Sequence, residues 1–379
     1  MKCELNELCF YVKDKELISN INLNNYISTE NMLPNKNGIT IATTLPNVDK
    51  VIGFKKGDVL ISNIRPYFKK IWYAEFDGGC SNDVLVLRPY DNVSSRYLYC
   101  ILSDDSFFDY TTKTAKGTKM PRGDKDAIMK YSVPRFTKQI QEKIATMIFD
   151  FNYKINLNNQ INDNLEMQIS GFYENIFSTN DWISCELDNL IDVRDGTHDS
   201  PKPQNEGYLL VTSKHLLPYG IDRIAPNRII EKDFKKINER SLVEKGDVLM
   251  SMIGTIGLIS FVTDNIIDFA IKNVALFKTS KSPEFVYYFL SFLKSKKTQQ
   301  YIEMCLAGST QKYISLKELR KIPIPNPDSI TLKHFNEIVI PMYQTIVQNS
   351  KENIVLTKVR DTILPKLMSG ELDVSDIEF

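Results

Sequence analysis

The chain has 379 residues, of which 42% are hydrophobic and 25% charged, and its 47 basic side chains balance 47 acidic ones. This length accommodates two or three domains, and the composition is typical of a soluble globular protein. No apolar stretch approaches the roughly 18 uncharged residues that a membrane span needs. Zero net charge argues mildly against a protein that binds DNA without a partner.

The six cysteines are scattered without a Cys-x-x-Cys pair, and only three histidines are present. The amino terminus lacks the apolar core of a signal peptide. These features predict a reduced, cytoplasmic protein without a disulfide framework or a metal site.

The first part of the chain, residues 1–134, has short apolar runs separated by Gly, Asn, Asp and Pro, which predict strands joined by turns. The runs are Val59–Ile61, Ile71–Tyr73 and Val84–Leu87. A helix is predicted from Ser95 to Phe108, because its apolar residues fall on one side.

A heptad pattern follows in the central region, residues 135–178. Its spacings alternate between four and three, which is typical of a coiled coil, although a single stripe of this kind more often marks a core-facing helix. The positions are Ile144, Ile148, Phe151, Ile155, Asn158, Asn162, Leu165, Ile169, Phe172 and Ile176.

The next region, residues 179–325, repeats the layout of the first. Strands are predicted at Val248–Met250, Leu258–Val262 and Val274–Phe277. Ser282 is predicted to cap a helix that has Pro283 in its first position. Both regions are therefore predicted to be mixed α/β, with strands first and a helix late.

A second heptad pattern lies in the distal region, residues 326–379, and matches the central one position for position. Its members are Phe335, Val339, Met342, Ile346, Asn349, Asn353, Leu356, Arg360, Ile363 and Leu367. This recurrence favours two paired helices, each spanning roughly 50 Å at about 1.5 Å per residue. Pro341 lies inside the pattern, so the helix is predicted to start or kink there.

Two asparagines occupy the middle of each pattern: Asn158 and Asn162 in the central helix, Asn349 and Asn353 in the distal one. A buried Asn specifies register, because misalignment leaves its amide unpaired. Parallel and antiparallel helices both bring Asn opposite Asn. We favour the antiparallel arrangement, which gives the halves a pseudo-two-fold axis.

Short motifs recur about half a chain length apart. Gly57–Ser62 returns as Gly246–Ser251, and Val133-Pro134 corresponds to Ile324-Pro325. The period is far longer than the roughly 20–50 residues of solenoid repeats, which indicates duplication of a whole domain.

Motifs for catalysis are missing. The chain has no phosphate-binding P-loop, amino-methyltransferase motif or nucleophile elbow, and Gly254–Gly257 is predicted to be a turn. His198 lies in the segment Asp195–Asp199, which is more typical of a turn-rich binding loop than of an acid–base site. The chain is therefore predicted to be non-catalytic.

With these features together, the chain resembles the specificity subunits of Type I restriction–modification enzymes over essentially its whole length. The resemblance rests on Gly57–Ser62 and its copy, Ile322–Pro325 before the distal helix, and Ile363–Leu372 near the end. It departs from the family where Val133–Phe136 replaces a Pro-x-Pro entry to the central helix, and at Pro341.

The resemblance implies an α/β protein with two target recognition domains, residues 1–134 and 179–325, separated by two long helices in an antiparallel coiled coil. Each domain would recognise one part of a split sequence in double-stranded DNA, with half-sites centred about 10 base pairs apart. The helices would set the spacer and dock two methyltransferase subunits. Those subunits would carry S-adenosylmethionine and methylate adenine, and a motor–nuclease subunit would add cleavage in complexes that restrict. The chain itself is expected to hold no cofactor or metal.

Candidate DNA contacts come from segments rich in cations, hydroxyls and amides, which bind phosphates and base edges. The strongest segment, Lys113–Arg122, contains four basic residues and no acid. The candidates are Asn63, Arg65, Lys69, Lys116, Thr118, Lys119, Arg122, Thr212, Lys214, Ser309, Thr310, Gln311 and Lys312.

Three alternatives remain open at this point. They are a coiled-coil scaffold that binds proteins, an enzyme with duplicated domains, and an inactive paralogue without a methyltransferase partner. Paired basic loops disfavour the scaffold, and missing motifs disfavour the enzyme.

Overall fold

The computed structural model describes residues 2–178, 182–308 and 312–374. The chain divides into two compact units. Unit 1 comprises residues 1–156 and 354–379, and unit 2 comprises residues 157–353. Within the described ranges, no helix is both long enough and apolar enough to cross a bilayer.

Unit 1 contains two four-stranded sheets, in the orders β2-β9-β6-β7 and β3-β5-β8-β4, and a separate pair formed by its first and last strands, β1 and β10. The strands are β1 (Lys2–Glu4), β2 (Cys9–Tyr11), β3 (Lys15–Leu17), β4 (Tyr26–Ile27), β5 (Lys50–Phe54), β6 (Val59–Ser62), β7 (Ile71–Tyr73), β8 (Gly78–Cys80), β9 (Val84–Pro89) and β10 (Ser132–Pro134). The helices that begin here are α1 (Ser95–Ser103), α2 (Asp105–Lys113), α3 (Lys125–Met129) and α4 (Lys138–Tyr173).

The three strands predicted in this region are confirmed as β6, β7 and β9. The predicted single helix is wrong in one respect, because the chain breaks at Asp104 and forms two helices. The buried Asp104 carboxylate accepts a hydrogen bond from the Ser106 backbone N–H at 2.8 Å and so caps α2.

Unit 2 repeats the first of these sheets as β12-β20-β17-β18, and its outermost strands in sequence, β11 and β21, again pair with each other. The strands are β11 (Ser184–Glu186), β12 (Val193–Asp195), β13 (Tyr208–Val211), β14 (Leu216–Leu217), β15 (Gly220–Ile221), β16 (Asn227–Ile229), β17 (Val248–Ser251), β18 (Ile259–Phe261), β19 (Phe269–Ile271), β20 (Val274–Phe277) and β21 (Pro323–Pro325). The helices are α5 (Glu231–Ser241), α6 (Val286–Lys294), α7 (Lys296–Met304), α8 (Leu316–Arg320) and α9 (Ser329–Ser369).

The repeated motifs thus mark a repeated main sheet and a repeated pair of terminal strands. The equivalence extends to single hydrogen bonds. The Tyr97 hydroxyl donates to the Pro134 carbonyl at 3.0 Å, and the Tyr288 hydroxyl donates to the Pro325 carbonyl at 2.5 Å. In both units this bond ties the helix after the main sheet to the strand that closes the domain.

The repeated Gly-Asp pair forms the turn into the central strand of each sheet. Gly57 and Gly246 have φ of 93° and 92°, a conformation that side-chain-bearing residues rarely adopt. Asp58 and Asp247 are buried, and each carboxylate accepts the backbone N–H three residues earlier, at 2.8 and 2.7 Å. The motif is therefore structural, which explains why both copies keep it.

Three predicted helix details are corrected. Ser282 makes no capping bond, and Pro283–Phe285 forms a 3₁₀ turn before α6 begins at Val286. Of the two outcomes predicted for Pro341, a helix start is wrong: α9 begins at Ser329, because the Asp328 carboxylate accepts the N–H groups of the next turn at 3.0 and 2.8 Å.

The central seam is buried or half-buried through Ile169, but Phe172 is exposed and Tyr173 is buried instead. From Ile169 onward the buried residues follow a spacing of four, Ile169, Tyr173 and Phe177, so the strict alternation of four and three no longer tracks the buried face. A π-helical turn over Glu174–Ser178 follows α4 directly.

Candidate nucleic-acid interface

Three loops of unit 1 meet on one surface. The Arg65 N–H, in the loop after β6, donates to the Pro121 carbonyl at 2.8 Å, and the Asn35 N–H donates to the Phe68 carbonyl at 2.8 Å. We call this the unit 1 surface; its polar members are Lys36, Arg65, Lys69, Lys116, Thr118, Lys119 and Arg122. It brings together two predicted segments that are separate in sequence, and it adds Lys36.

The loop from Lys116 to Arg122 is closed by two backbone hydrogen bonds between these end residues, at 2.8 and 2.9 Å. Gly117, with φ of 96°, makes the reversal possible. Thr118 and Lys119 lie exposed at the tip. The loop therefore presents its hydroxyl and its cations from a fixed backbone.

Carboxylates from elsewhere in the unit pair with these cations. Lys36 and Lys69 both contact Asp105, at 2.8 and 2.9 Å. Burial opposes the effect, but hydrogen bonds from the two ammonium groups hold the pKa of Asp105 below its ordinary value. One carboxylate shared by two lysines leaves net positive charge at this point of the surface.

The segment Lys113–Arg122 has no acid of its own, yet the fold supplies two. Lys116 contacts Asp124 at 2.5 Å, and Arg122 contacts Asp83 at 3.0 Å. The hydrogen bond from Lys116 holds the pKa of Asp124 below its ordinary value. A phosphate that binds these cations must therefore compete with a carboxylate.

Two residues near this surface have limited access. Asn63 is only 8% exposed, which makes it the least accessible of the predicted unit 1 contacts. Lys70 donates to the Thr29 carbonyl at 2.6 Å, and burial lowers the pKa of its ammonium group. Lys70 thus holds the loop that contains Thr29.

In unit 2, Thr212 and Lys214 lie at a 3₁₀ turn, Ser213–His215. His215 is buried, its Nδ1 accepts the Thr212 N–H at 3.1 Å, and burial lowers the pKa of its imidazole. Lys214 is exposed on the same turn. The buried, neutral histidine holds the turn that presents this lysine.

A concave surface beside this turn is lined by Lys202, Lys214 and Lys272, together with Thr212 and Asn227. Sequence reasoning missed Lys202 and Lys272. Each is an isolated lysine in the sequence, and only the fold brings it to the candidate turn.

The unit 2 counterpart of the Lys116–Arg122 loop is closed in the same way. Ala307 and Tyr313 exchange two backbone hydrogen bonds of 2.9 Å. The predicted contacts Ser309, Thr310 and Gln311 lie outside the described residues, and Lys312 is exposed. Tyr313 occupies the place that Arg122 has in unit 1.

His198, in the predicted binding loop, lies 3.1 Å from Asp195 Oδ2 through Nε2 and 2.7 Å from Asn273 Oδ1 through Nδ1. Arg240 also pairs with Asp195. His198 and Arg240 line an open groove with Lys236. No group of three or more His, Cys, Asp or Glu residues in the described ranges is arranged to hold a metal ion.

Comparison with known proteins yields one family. The model of the Type I restriction modification DNA specificity domain matches residues 1–167 and again residues 180–354. The Type I restriction enzyme MjaIX specificity subunit of Methanocaldococcus jannaschii is 26% identical, over 86% of this chain and 79% of its own length. The HindI specificity subunit of Haemophilus influenzae is 22% identical, over 92% of this chain and 94% of its own length.

Among solved structures, the S subunit of a Type I restriction–modification system from M. genitalium has the same fold. It superposes with a TM-score of 0.60 at 17% identity, covering 99% of this chain and 96% of that one. Two matches of one family model therefore coincide with the two copies of the repeated topology. The chain belongs to the family of Type I restriction–modification specificity proteins, which are non-catalytic subunits.

Proposed function

We propose that this chain is the DNA-recognition subunit of a Type I restriction–modification complex, with each half recognising one part of an asymmetric, split site. Residues 1–134 and 179–325 are the two target recognition domains, and residues 135–178 and 326–379 are the helical regions. The partners are double-stranded DNA, two methyltransferase subunits and, in a complex that restricts, motor–nuclease subunits. The complex acts in the cytoplasm, and S-adenosylmethionine binds to the methyltransferase subunits.

The observation that carries this proposal is the unit 1 surface. It holds cations and a hydroxyl on a backbone that hydrogen bonds fix in place, as DNA phosphate and base contacts require. Unit 2 has a closed loop at the equivalent place. Two related surfaces with different side chains suit an asymmetric site with two half-sites.

We further propose that α4 and α9 form an antiparallel coiled coil, which sets the spacer and relates the halves by a pseudo-two-fold axis. Within unit 2, Asn349 Nδ2 donates to Asn162 Oδ1 at 2.9 Å and Asn158 Nδ2 donates to Asn353 Oδ1 at 2.9 Å. Parallel helices would pair Asn158 with Asn349 instead. This order of partners supports the antiparallel arrangement.

The helices also offer a surface for the methyltransferase subunits. Within unit 2, Leu157 and Ile161 lie exposed one turn apart on α4. Neighbouring apolar side chains exposed on a helix favour a protein partner. DNA contacts and protein contacts would then lie on different elements.

The test is DNA binding by the assembled complex after Lys116, Lys119 and Arg122 are replaced with Ala. The affinity should fall, and its dependence on salt should flatten by up to about one counterion for each phosphate that the loop no longer neutralises. A matched control replaces Lys13, Lys15 and Lys50, three exposed lysines of the same unit outside the three loops. Equal affinities for both triple variants would contradict the assignment of this surface.

A further inference from the structure

A pair of aromatic side chains lies exposed within the unit 1 surface. Tyr67 is 47% exposed and Phe68 39% exposed, with ring centroids 4.8 Å apart. The two rings form an apolar tip between β6 and β7, surrounded by the cations of this surface. An exposed apolar tip rimmed by cations is suited to a partner that carries both apolar and negatively charged groups.

The tip is held in a rigid and unfavourable backbone conformation. Tyr67 lies in a 3₁₀ turn, Pro66–Phe68, flanked by Arg65 and Lys69, both with φ of 50°. Residues with side chains rarely adopt this left-handed conformation, and such strain concentrates at functional sites. Pro66 is buried, and its side chain anchors the turn to the rest of unit 1.

Neighbouring loops fix the turn on both sides. The Arg65 N–H donates to the Pro121 carbonyl at 2.8 Å, and the Lys36 N–H donates to the Lys69 carbonyl at 2.9 Å. The backbone that carries the rings is therefore fixed before any ligand binds, which reduces the entropy lost on binding.

The charges around the tip select its ligand. Lys36 and Lys69 share the single carboxylate of Asp105, and Arg65 lies at the start of the turn. Net positive charge around an apolar tip complements a DNA duplex, whose phosphates flank apolar base edges and methyl groups. If the cations bind the phosphates, the rings between them face a groove.

We propose that Tyr67, backed by Phe68, contacts the bases of the half-site that unit 1 recognises. This inference rests on the proposed function. At the equivalent place unit 2 has Gly254 and Gly257, with φ of 80° and 81°, around Thr255 and Ile256. The loop after β17 therefore has no aromatic residue at the place of Tyr67, and we assign this contact to the half-site of unit 1.

The test uses the complex purified from its host and duplexes that carry the split site, each with one base pair changed. Tyr67→Ala should bind the native site about tenfold more weakly and lose discrimination at one or two adjacent base pairs of one half-site. Its salt dependence should equal that of the wild type, because every cation that neutralises a phosphate is retained. Tyr67→Phe should retain discrimination, since it keeps the ring.

Tyr90→Ala is the matched control, because Tyr90 is 41% exposed and packs on Phe10 as a second surface aromatic pair of unit 1. It should leave affinity and discrimination unchanged. The inference is overturned if Tyr67→Ala retains full discrimination, if it weakens all duplexes equally with a flatter salt dependence, or if Tyr90→Ala has the same effect. A wild-type complex without preference among the duplexes would instead refute the proposed function, and this inference with it.

Discussion

At the scale of single residues, the two units pair an equivalent buried aspartate with different cations. The buried Asp58 carboxylate accepts hydrogen bonds from Nε and Nη2 of Arg88, at 2.8 and 2.7 Å. In unit 2 the Lys278 ammonium lies 2.7 Å from Asp247, and the two side chains are only 2% and 0% exposed. Arg88 lies in β9 and Lys278 directly follows β20, so each ion pair joins the turn before β6 or β17 to the neighbouring strand or its end.

Lys278→Met tests this role. The substitution leaves Asp247 buried without its cation, and we expect the free energy of unfolding to fall by about 3–5 kcal/mol. Urea unfolding of the purified chain measures it. Lys281→Met is the control, because Lys281 contacts Asp192 at 2.9 Å but is 54% exposed, and it should cost no more than about 1 kcal/mol. Similar losses for both variants would contradict the structural role of the buried pair.

A second residue-scale prediction concerns pH. Hydrogen bonding from Arg194, reinforced by Lys281, lowers the pKa of Asp192 to about 2, against an unfolded value of about 3.9. Its folded-state pKa is depressed, so its stabilisation is complete above about pH 4 and is lost as pH falls through 2.

Asp192→Asn should therefore lower the melting temperature at pH 5 to 7, and the difference from the wild type should shrink as pH falls from 4 towards 2. Thermal unfolding followed across this range measures the difference. A gap that stays constant down to pH 2 would show that the carboxylate charge contributes nothing.

At the scale of elements, the asparagines of the seam carry the most specific information. Asn162 and Asn349 pair within unit 2 at 2.9 Å, in the middle of a mostly apolar pattern. A polar pair there costs stability and fixes register.

Asn349→Leu alone should destabilise the chain by about 1–3 kcal/mol, because the Asn162 oxygen loses its donor. Adding Asn162→Leu should restore the wild-type stability or raise it further, since two leucines pack without an unpaired amide. Urea unfolding of both single variants and the double variant measures the coupling. Strictly additive losses would contradict direct pairing.

Sequence patterns predicted those elements whose own residues carry the signal. The strands Val59–Ser62, Ile71–Tyr73 and Val274–Phe277 are runs of buried side chains, and apolar runs of this length predict them. By contrast, Lys50–Phe54 and Gly78–Cys80 contain Lys and Gly and form strands only through the partners that the fold provides.

The candidate site, likewise, could be predicted only where its own residues carry the signal. The segment Lys113–Arg122 could be chosen because its cations are neighbours in the sequence. Lys36, Lys272 and Asp105 could not, because tertiary structure alone brings them to the surface. Tyr67 was missed because an aromatic residue between two short strands predicts a core position unless its exposure is known.

At the scale of the whole molecule, the two units share the topology of their main sheet but differ in their surfaces. Unit 2 contains α5, inserted between β16 and β17, and its loop after β17 carries glycines where unit 1 has Arg65 and Lys69. Two surfaces built from different side chains should recognise different base sequences.

Replacing residues 1–134 with the equivalent region of another family member should therefore change one half of the recognised site and leave the other half intact. Methylation mapping of a host carrying the hybrid gene measures this. Changes in both halves would contradict independent recognition by two domains.

We propose that this chain directs methylation to a split DNA sequence. Long-read methylation mapping of a host with and without this gene, the neighbouring methyltransferase gene being retained, tests this function. We predict an asymmetric, bipartite motif with methylated adenine that disappears when the gene is deleted. An identical methylation pattern in both strains would contradict the claim and favour an inactive paralogue or a scaffold.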